Sequence, residues 1–129
     1  DVIEHFDKDV IYEILEKLNK KLNTGGKVFI QVPNATNLFS GRVLYNDFTH
    51  EFSFTKISLT QLLSSVGFKN LRFFKNEPYL CSLTPKHFTK FILKSIYHLL
   101  IKILFFFEEP SFPIIVSESI IVIAEKNED

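Results

Sequence analysis

Two histidines occupy places where a side chain could move a proton. His5 ends the segment Asp1-Val2-Ile3-Glu4-His5, beside two carboxylates, and His50 closes Tyr45-Asn46-Asp47-Phe48-Thr49-His50. An imidazole titrates near neutral pH and can take a proton from an attacking nucleophile. The plainer reading makes Glu4 and His5 polar caps of the following helix, and His50 an exposed loop residue over packed aromatics. Asn34, directly after Pro33, is a turn residue by type and is weighed as a ligand beside that. Lys86, Lys90, Lys94, His98 and Lys102 recur every four residues, which on a helix forms one slowly drifting basic stripe. Cys81 is the only cysteine, so no internal disulfide and no cysteine-rich zinc site can form. Its Phe-rich surroundings suggest a small buried hydrophobe.

An alternation of helices and strands must position these residues. From about Lys8 to Asn23 the apolar residues Val10, Ile14, Leu15, Leu18 and Leu22 recur at spacings of three and four, predicting an amphipathic helix. Asp7 and Asp9 open it, lysines close it, and Gly25-Gly26 stops it. Lys27 to Val32 reads as a buried strand closed by Pro33-Asn34. Ala35 to Lys56 is an irregular polar and aromatic loop, of the kind that carries function. Ser58 is the expected N-cap of a short helix through Val66, whose apolar face is Leu59, Leu62, Leu63 and Val66, with Gly67 ending it. Lys69 to Lys75 is a second strand and Pro85 to Phe107 a long helix. Ile114 to Ala124 is a third strand or a hairpin-like pair, and Glu125 to Asp129 a solvated end. Such alternation argues for an α/β layered sheet in one domain.

Composition narrows the partners. Fifteen basic residues balance fifteen acidic ones, so no bulk charge draws nucleic acid. The chain has no methionine and no signal-peptide pattern, which is simplest for a fragment of a longer cytoplasmic protein. Lysines interrupt the long helix before it reaches spanning length.

Several segments, in order, resemble class I S-adenosylmethionine-dependent methyltransferases. The resemblance is carried by Asp1-Val2-Ile3-Glu4-His5-Phe6, then Leu22-Asn23-Thr24-Gly25-Gly26 leading into Lys27–Asn34, then His50-Glu51-Phe52-Ser53-Phe54-Thr55. Ser58-Leu59, Leu62-Leu63 and Gly67-Phe68 continue it, and Ser119 to Lys126 looks like the family's last, antiparallel strand. This covers essentially the whole chain. It implies an α/β fold, the C-terminal part of a Rossmann-like sheet from the end of strand four through strand seven, with residues 1–129 a partial methyltransferase domain that includes a long amphipathic helix at about 86–107. The family's glycine-rich loop is not among Gly25, Gly26, Gly41 and Gly67, so this piece alone is expected to bind S-adenosylmethionine poorly and to be inactive.

The resemblance also implies roles. Asp1, Val2, Glu4 and His5 would line the cofactor, S-adenosylmethionine. His5 and His50 would be catalytic bases, and Asn34, Tyr45 and His50 would face a small-molecule or glycan acceptor. Asp1, Glu4 and His5 also resemble an acidic-x-x-Glu-His pattern that holds a divalent ion in some quinone-forming O-methyltransferases, though no metal is assigned here. The absence of an Asn-Pro-Pro-Tyr motif speaks against nucleic acid as acceptor. Methyltransferases with a comparable helical insertion often accompany cell-surface glycan synthesis, where acceptors can be lipid-linked. Lys86, Lys90, Lys94 and Lys102 could touch a membrane surface, while the plainer reading packs the helix on its own domain or in a homo-oligomer. The alternative function is a non-catalytic interaction or membrane-surface module that retains part of the fold.

Overall fold

The computed structural model describes residues 1–76, 84–108 and 114–127. Cys81 lies outside the described residues.

The chain opens with a 3-10 turn, Ile3–His5, where the resemblance implied the end of a strand. Helix α1 spans Lys8–Lys21. The Asp7 side chain caps it by accepting from the Val10 N–H at 2.9 Å, so Glu4 and His5 are not its caps. Glu13–Lys17 and Glu16–Lys20 pair along its outer face at 3.0 Å each, exposed contacts worth about 0.3–0.5 kcal/mol apiece. The buried stripe is Ile11, Leu15 and Asn19. Val10 and Leu18, expected inside, are exposed, because the i, i+4, i+8 row through Ile11 is the one that meets the sheet.

Strand β1 follows at Lys27–Pro33, reached through Gly25 at φ +70°, a conformation that other residues adopt only at a cost. A short helix α2, Ser40–Tyr45, stands inside the stretch read as a loop. Helix α3 spans Lys56–Ser65, one turn earlier than expected. Its N-cap is Thr55, whose side chain accepts from the Ser58 N–H while the Ser58 hydroxyl accepts from the Thr55 N–H. Ser58 is thus the third residue of a capping box rather than the cap.

Strand β2, Phe68–Lys75, follows a turn at Gly67 (φ +89°). The long helix α4, Pro85–Glu108, and strand β3, Ser119–Lys126, complete the described elements. Residues 114–118 are not a strand, and no hairpin forms there. Glu125 and Lys126, expected to be a solvated end, are strand residues paired with β1 and β2.

The sheet order is β1-β3-β2, with β3 antiparallel to both neighbours. β1 and β2 therefore run parallel to one another across an antiparallel central strand. Ile120, Val122 and Ala124 of β3, with Ile30 and Val32 of β1, form one face, covered by Leu15 of α1 and Leu59 and Leu63 of α3. On the other face Phe29 and Phe74 are exposed. The β1 strand, expected to be buried, is thus covered by core residues on one side only. Among the described residues, no strand pairs with its outer edge.

Candidate functional site

The two histidines meet because backbone zips their segments together. The carbonyl of Glu4 accepts from the N–H groups of Glu51 (2.8 Å) and Phe52 (3.3 Å). The next residues then dock at the end of β1, where the Phe54 N–H donates to Pro33 O and the Ala35 N–H to Phe54 O, each at 2.9 Å. This places the His5 turn and the His50 segment together beside the C-terminal end of β1. Their rings lie 4.6 Å apart between centroids, tilted by 54°.

Each ring is fixed through Nδ1. His5 Nδ1 lies 2.8 Å from the Thr49 hydroxyl and 3.2 Å from the Thr49 carbonyl. That hydroxyl already donates to Asp47 Oδ1 at 2.7 Å, so it must accept from His5. The proton of a neutral His5 therefore sits on Nδ1, and Nε2 keeps its lone pair. His50 Nδ1 lies 3.2 Å from the Val43 carbonyl in α2, which can only accept, so the same tautomer follows.

An acidic group stands near the Nε2 atom of each ring. Asp47 Oδ2 is 4.0 Å from His50 Nε2, and Glu4 Oε1 is 3.9 Å from His5 Nε2. Glu4 is fully buried, and neither carboxylate oxygen has a hydrogen-bond partner among the described residues. An ionised carboxylate without a donor is costly inside a protein. The donor within reach of that carboxylate among the described residues is the His5 ring, 3.9 Å away.

Asp47 is a residue that the pattern reading missed. The Thr49 hydroxyl holds its carboxyl below the ordinary 3.8, aided chiefly by the Thr49 N–H, against an opposing push from burial that outweighs the help of either His50 or His5. With its folded value lowered, its contribution to loop order is present above the ordinary value and fades as pH falls through the lowered one. Thr49→Val removes the first-ranked donor. The Asp47 carboxyl is then expected to titrate closer to 3.8, read by NMR chemical shifts across an acid titration. An unchanged midpoint would contradict the bridge.

The remaining sequence candidates fall in different places. Asp1 is exposed, its Oδ2 accepting from the Gln31 side chain at 3.0 Å, and Val2 is exposed beside it. Glu4 presents no accessible surface, so its side chain supports His5 rather than lining an open cleft. Tyr45 is 83 % exposed at the end of α2, and Phe48, not singled out from sequence, is fully exposed two residues before His50. Asn34 is buried and spent on structure. Its Nδ2 donates to the carbonyls of Ile115 and Ser117 at 2.7 Å each, and its Oδ1 accepts from the Thr36 N–H at 2.9 Å. The Asn34 side chain is thus committed to backbone partners. A groove of about 550 Å³ between α1 and the start of α3, lined by Lys8, Tyr12, Phe52, Ser53 and Leu62, contains neither histidine.

Among the described residues, Glu4, His5 and His50 bring one donor atom each within 4.8 Å of one another, a carboxylate and two imidazoles that could share a cation. Asp1 of the acidic-x-x-Glu-His pattern is not in that group.

No protein-family model and no curated protein matches the sequence. The fold is similar to the crystal structure of a SAM-dependent methyltransferase from Archaeoglobus fulgidus. The TM-score is 0.60 and the identity 20%, over 97% of this chain and 56% of that one. The chain thus spans little more than half that protein's length. The likeness is one of fold: α/β, with helices on a three-stranded sheet.

Proposed function

We propose that these residues form the acceptor-side part of an S-adenosylmethionine-dependent methyltransferase, one that methylates a hydroxyl or similar nucleophile of a small molecule or glycan. The observation that carries this reading is the apposition of His5 and His50 beside the end of β1, each with Nδ1 tied down and Nε2 free. Ligand sites of open α/β sheets lie outside the carboxyl ends of the strands, which is where this pair stands. Support comes also from the order β1-β3-β2, which reads as strands five, seven and six of a Rossmann-like sheet. Strand four and its predecessors would then pair with the open edge of β1.

The residues present fit one end of the cofactor only. Asp1, Val2 and the backbone through His5 would line its methionine end. None of the four glycines offers the cradle for the rest: Gly25 and Gly26 turn α1 into β1, Gly67 turns α3 into β2, and Gly41 lies in α2. When bound, the cofactor supplies an electrophilic methyl on a sulfonium. An acceptor hydroxyl attacking that methyl would give up its proton to His5 Nε2. Glu4 Oε1 would lie 3.9 Å from that same nitrogen, within reach of the proton it takes up. His50 and Asp47 would flank the other side, and the rings of Tyr45 and Phe48, both exposed, would be open to contact with the acceptor.

The test is His5→Ala and His50→Ala in the full-length enzyme, read as transfer of labelled methyl. If both leave turnover intact, neither histidine is the base.

A further inference from the structure

Helix α4 shows the rest of the protein one face only. Lys94, Tyr97, His98, Ile101 and Phe105 are its residues with reduced exposure, and Ile101 alone is buried, at 4 %. Their spacing of three and four places them on one inward stripe. Tyr97 stacks there on Phe39, with ring centroids 6.1 Å apart.

The outward face is almost bare hydrocarbon. Phe88, Ile92, Ile96, Leu99, Ile103 and Phe106 are all exposed. At about 100° per residue they share an arc with Leu93, Leu100 and Phe107, about 140° wide and opposite the inward stripe. The one polar residue in that arc, Thr89, turns its hydroxyl back to the carbonyls of Pro85 and Lys86 at 2.9 and 3.0 Å. Ser95, at the arc's edge, does the same to Phe91 at 2.9 Å. The face is therefore apolar without interruption.

Charge decides what covers it. Between Pro85 and Phe107 every charged side chain is a lysine, in a chain with equal numbers of basic and acidic residues overall. Lys86 and Lys102 fall on the two flanks of the arc, Lys90 lies farther round, and Lys94 is on the inward stripe, so the four lysines do not act as one row. Flanking lysines with apolar stems can lay the stems on a membrane interior and reach its headgroups. A second copy of α4 against the first would set lysine flank to lysine flank with no acidic partner within the face. No described helix is long and apolar enough to cross a membrane.

The geometry points to α4 as a docking surface for an anionic membrane, its apolar arc sunk at the headgroup level and Lys86 and Lys102 contacting acidic lipids. The body of the protein, on the opposite side of the helix, stays in water. This inference rests on α4 alone and is independent of the methyltransferase reading.

The experiment is flotation of the 129-residue chain with vesicles of phosphatidylcholine and with vesicles of equal phosphatidylcholine and phosphatidylglycerol, at low and high salt. Binding is expected on the anionic vesicles and should weaken with salt. A lysine near such a surface is worth about 1 kcal/mol, a factor of about five. The variant Lys86→Glu/Lys102→Glu should therefore lower partitioning by at least about twenty-five-fold. Leu99→Glu, on an exposed apolar position, should lower it as well with the far-ultraviolet circular dichroism unchanged. Equal binding to both vesicle types with no response to the lysine reversals overturns the proposal. So does failure to bind anionic vesicles, and a dimer that Leu99→Glu dissociates would then assign the face to a second copy.

Discussion

His5→Ala is expected to lower methyl transfer by about 10²–10⁴-fold, the range typical of losing a positioned general base. The effect should fall on kcat rather than on KM for the acceptor, because Nε2 is used as the proton leaves and not for binding. The fold should be little changed. His5 is half-buried on a surface turn, and that turn is held by the Glu4 carbonyl, which accepts from Glu51 and Phe52 whatever side chain follows. A more acidic acceptor, which needs less help to lose its proton, should be slowed less. Unchanged kcat with His5→Ala would remove His5 from the chemistry.

Asn34→Ala is expected to destabilise the protein by about 3 kcal/mol while leaving KM untouched in whatever molecules remain folded. Each buried polar group left without a partner costs about 1–3 kcal/mol. The buried Ser117 carbonyl loses its partner here, and so do the half-buried Ile115 carbonyl and Thr36 N–H, which cost less. Nearby Asn37 works in parallel, its Nδ2 donating to Val116 O at 2.7 Å and its Oδ1 accepting from Phe39 at 2.8 Å. Together the two asparagines fasten the segment before β3 to the segment after β1. A domain of this size has about 5–15 kcal/mol in all, so the loss should be plain in a urea or thermal melt. A raised KM with an unchanged melting midpoint would instead return Asn34 to the acceptor site.

Much of the fold was legible because periodicity and punctuation agree. Leu59, Leu62, Leu63 and Val66 turn toward the core as their spacing predicts, and Gly67 takes the left-handed conformation that ends α3, while Gly25 takes one in the turn after α1 has already ended at Lys21. What escaped was local side-chain chemistry. Thr55 took the cap from Ser58 because capping is reciprocal, and either hydroxyl reads alike from spacing alone. The α1 stripe was read through Val10 and Leu18 because Asn19, a polar residue, occupies the buried position that an apolar one would have marked. At the site, His5 and His50 were legible by residue type, but their meeting was not. It depends on the Glu4 backbone carbonyl, and on the Asp47–Thr49 turn that aims both the loop and the His5 proton. Backbone acceptors leave no trace in side-chain patterns.

The most direct measurement is isothermal titration of S-adenosylhomocysteine into the 129-residue chain and into a longer form with a glycine-rich segment before Asp1, as the methyltransferase reading requires. Binding by the longer form and none by the 129 residues is the predicted result. Tight binding by the 129 residues alone, or none by either, would contradict it.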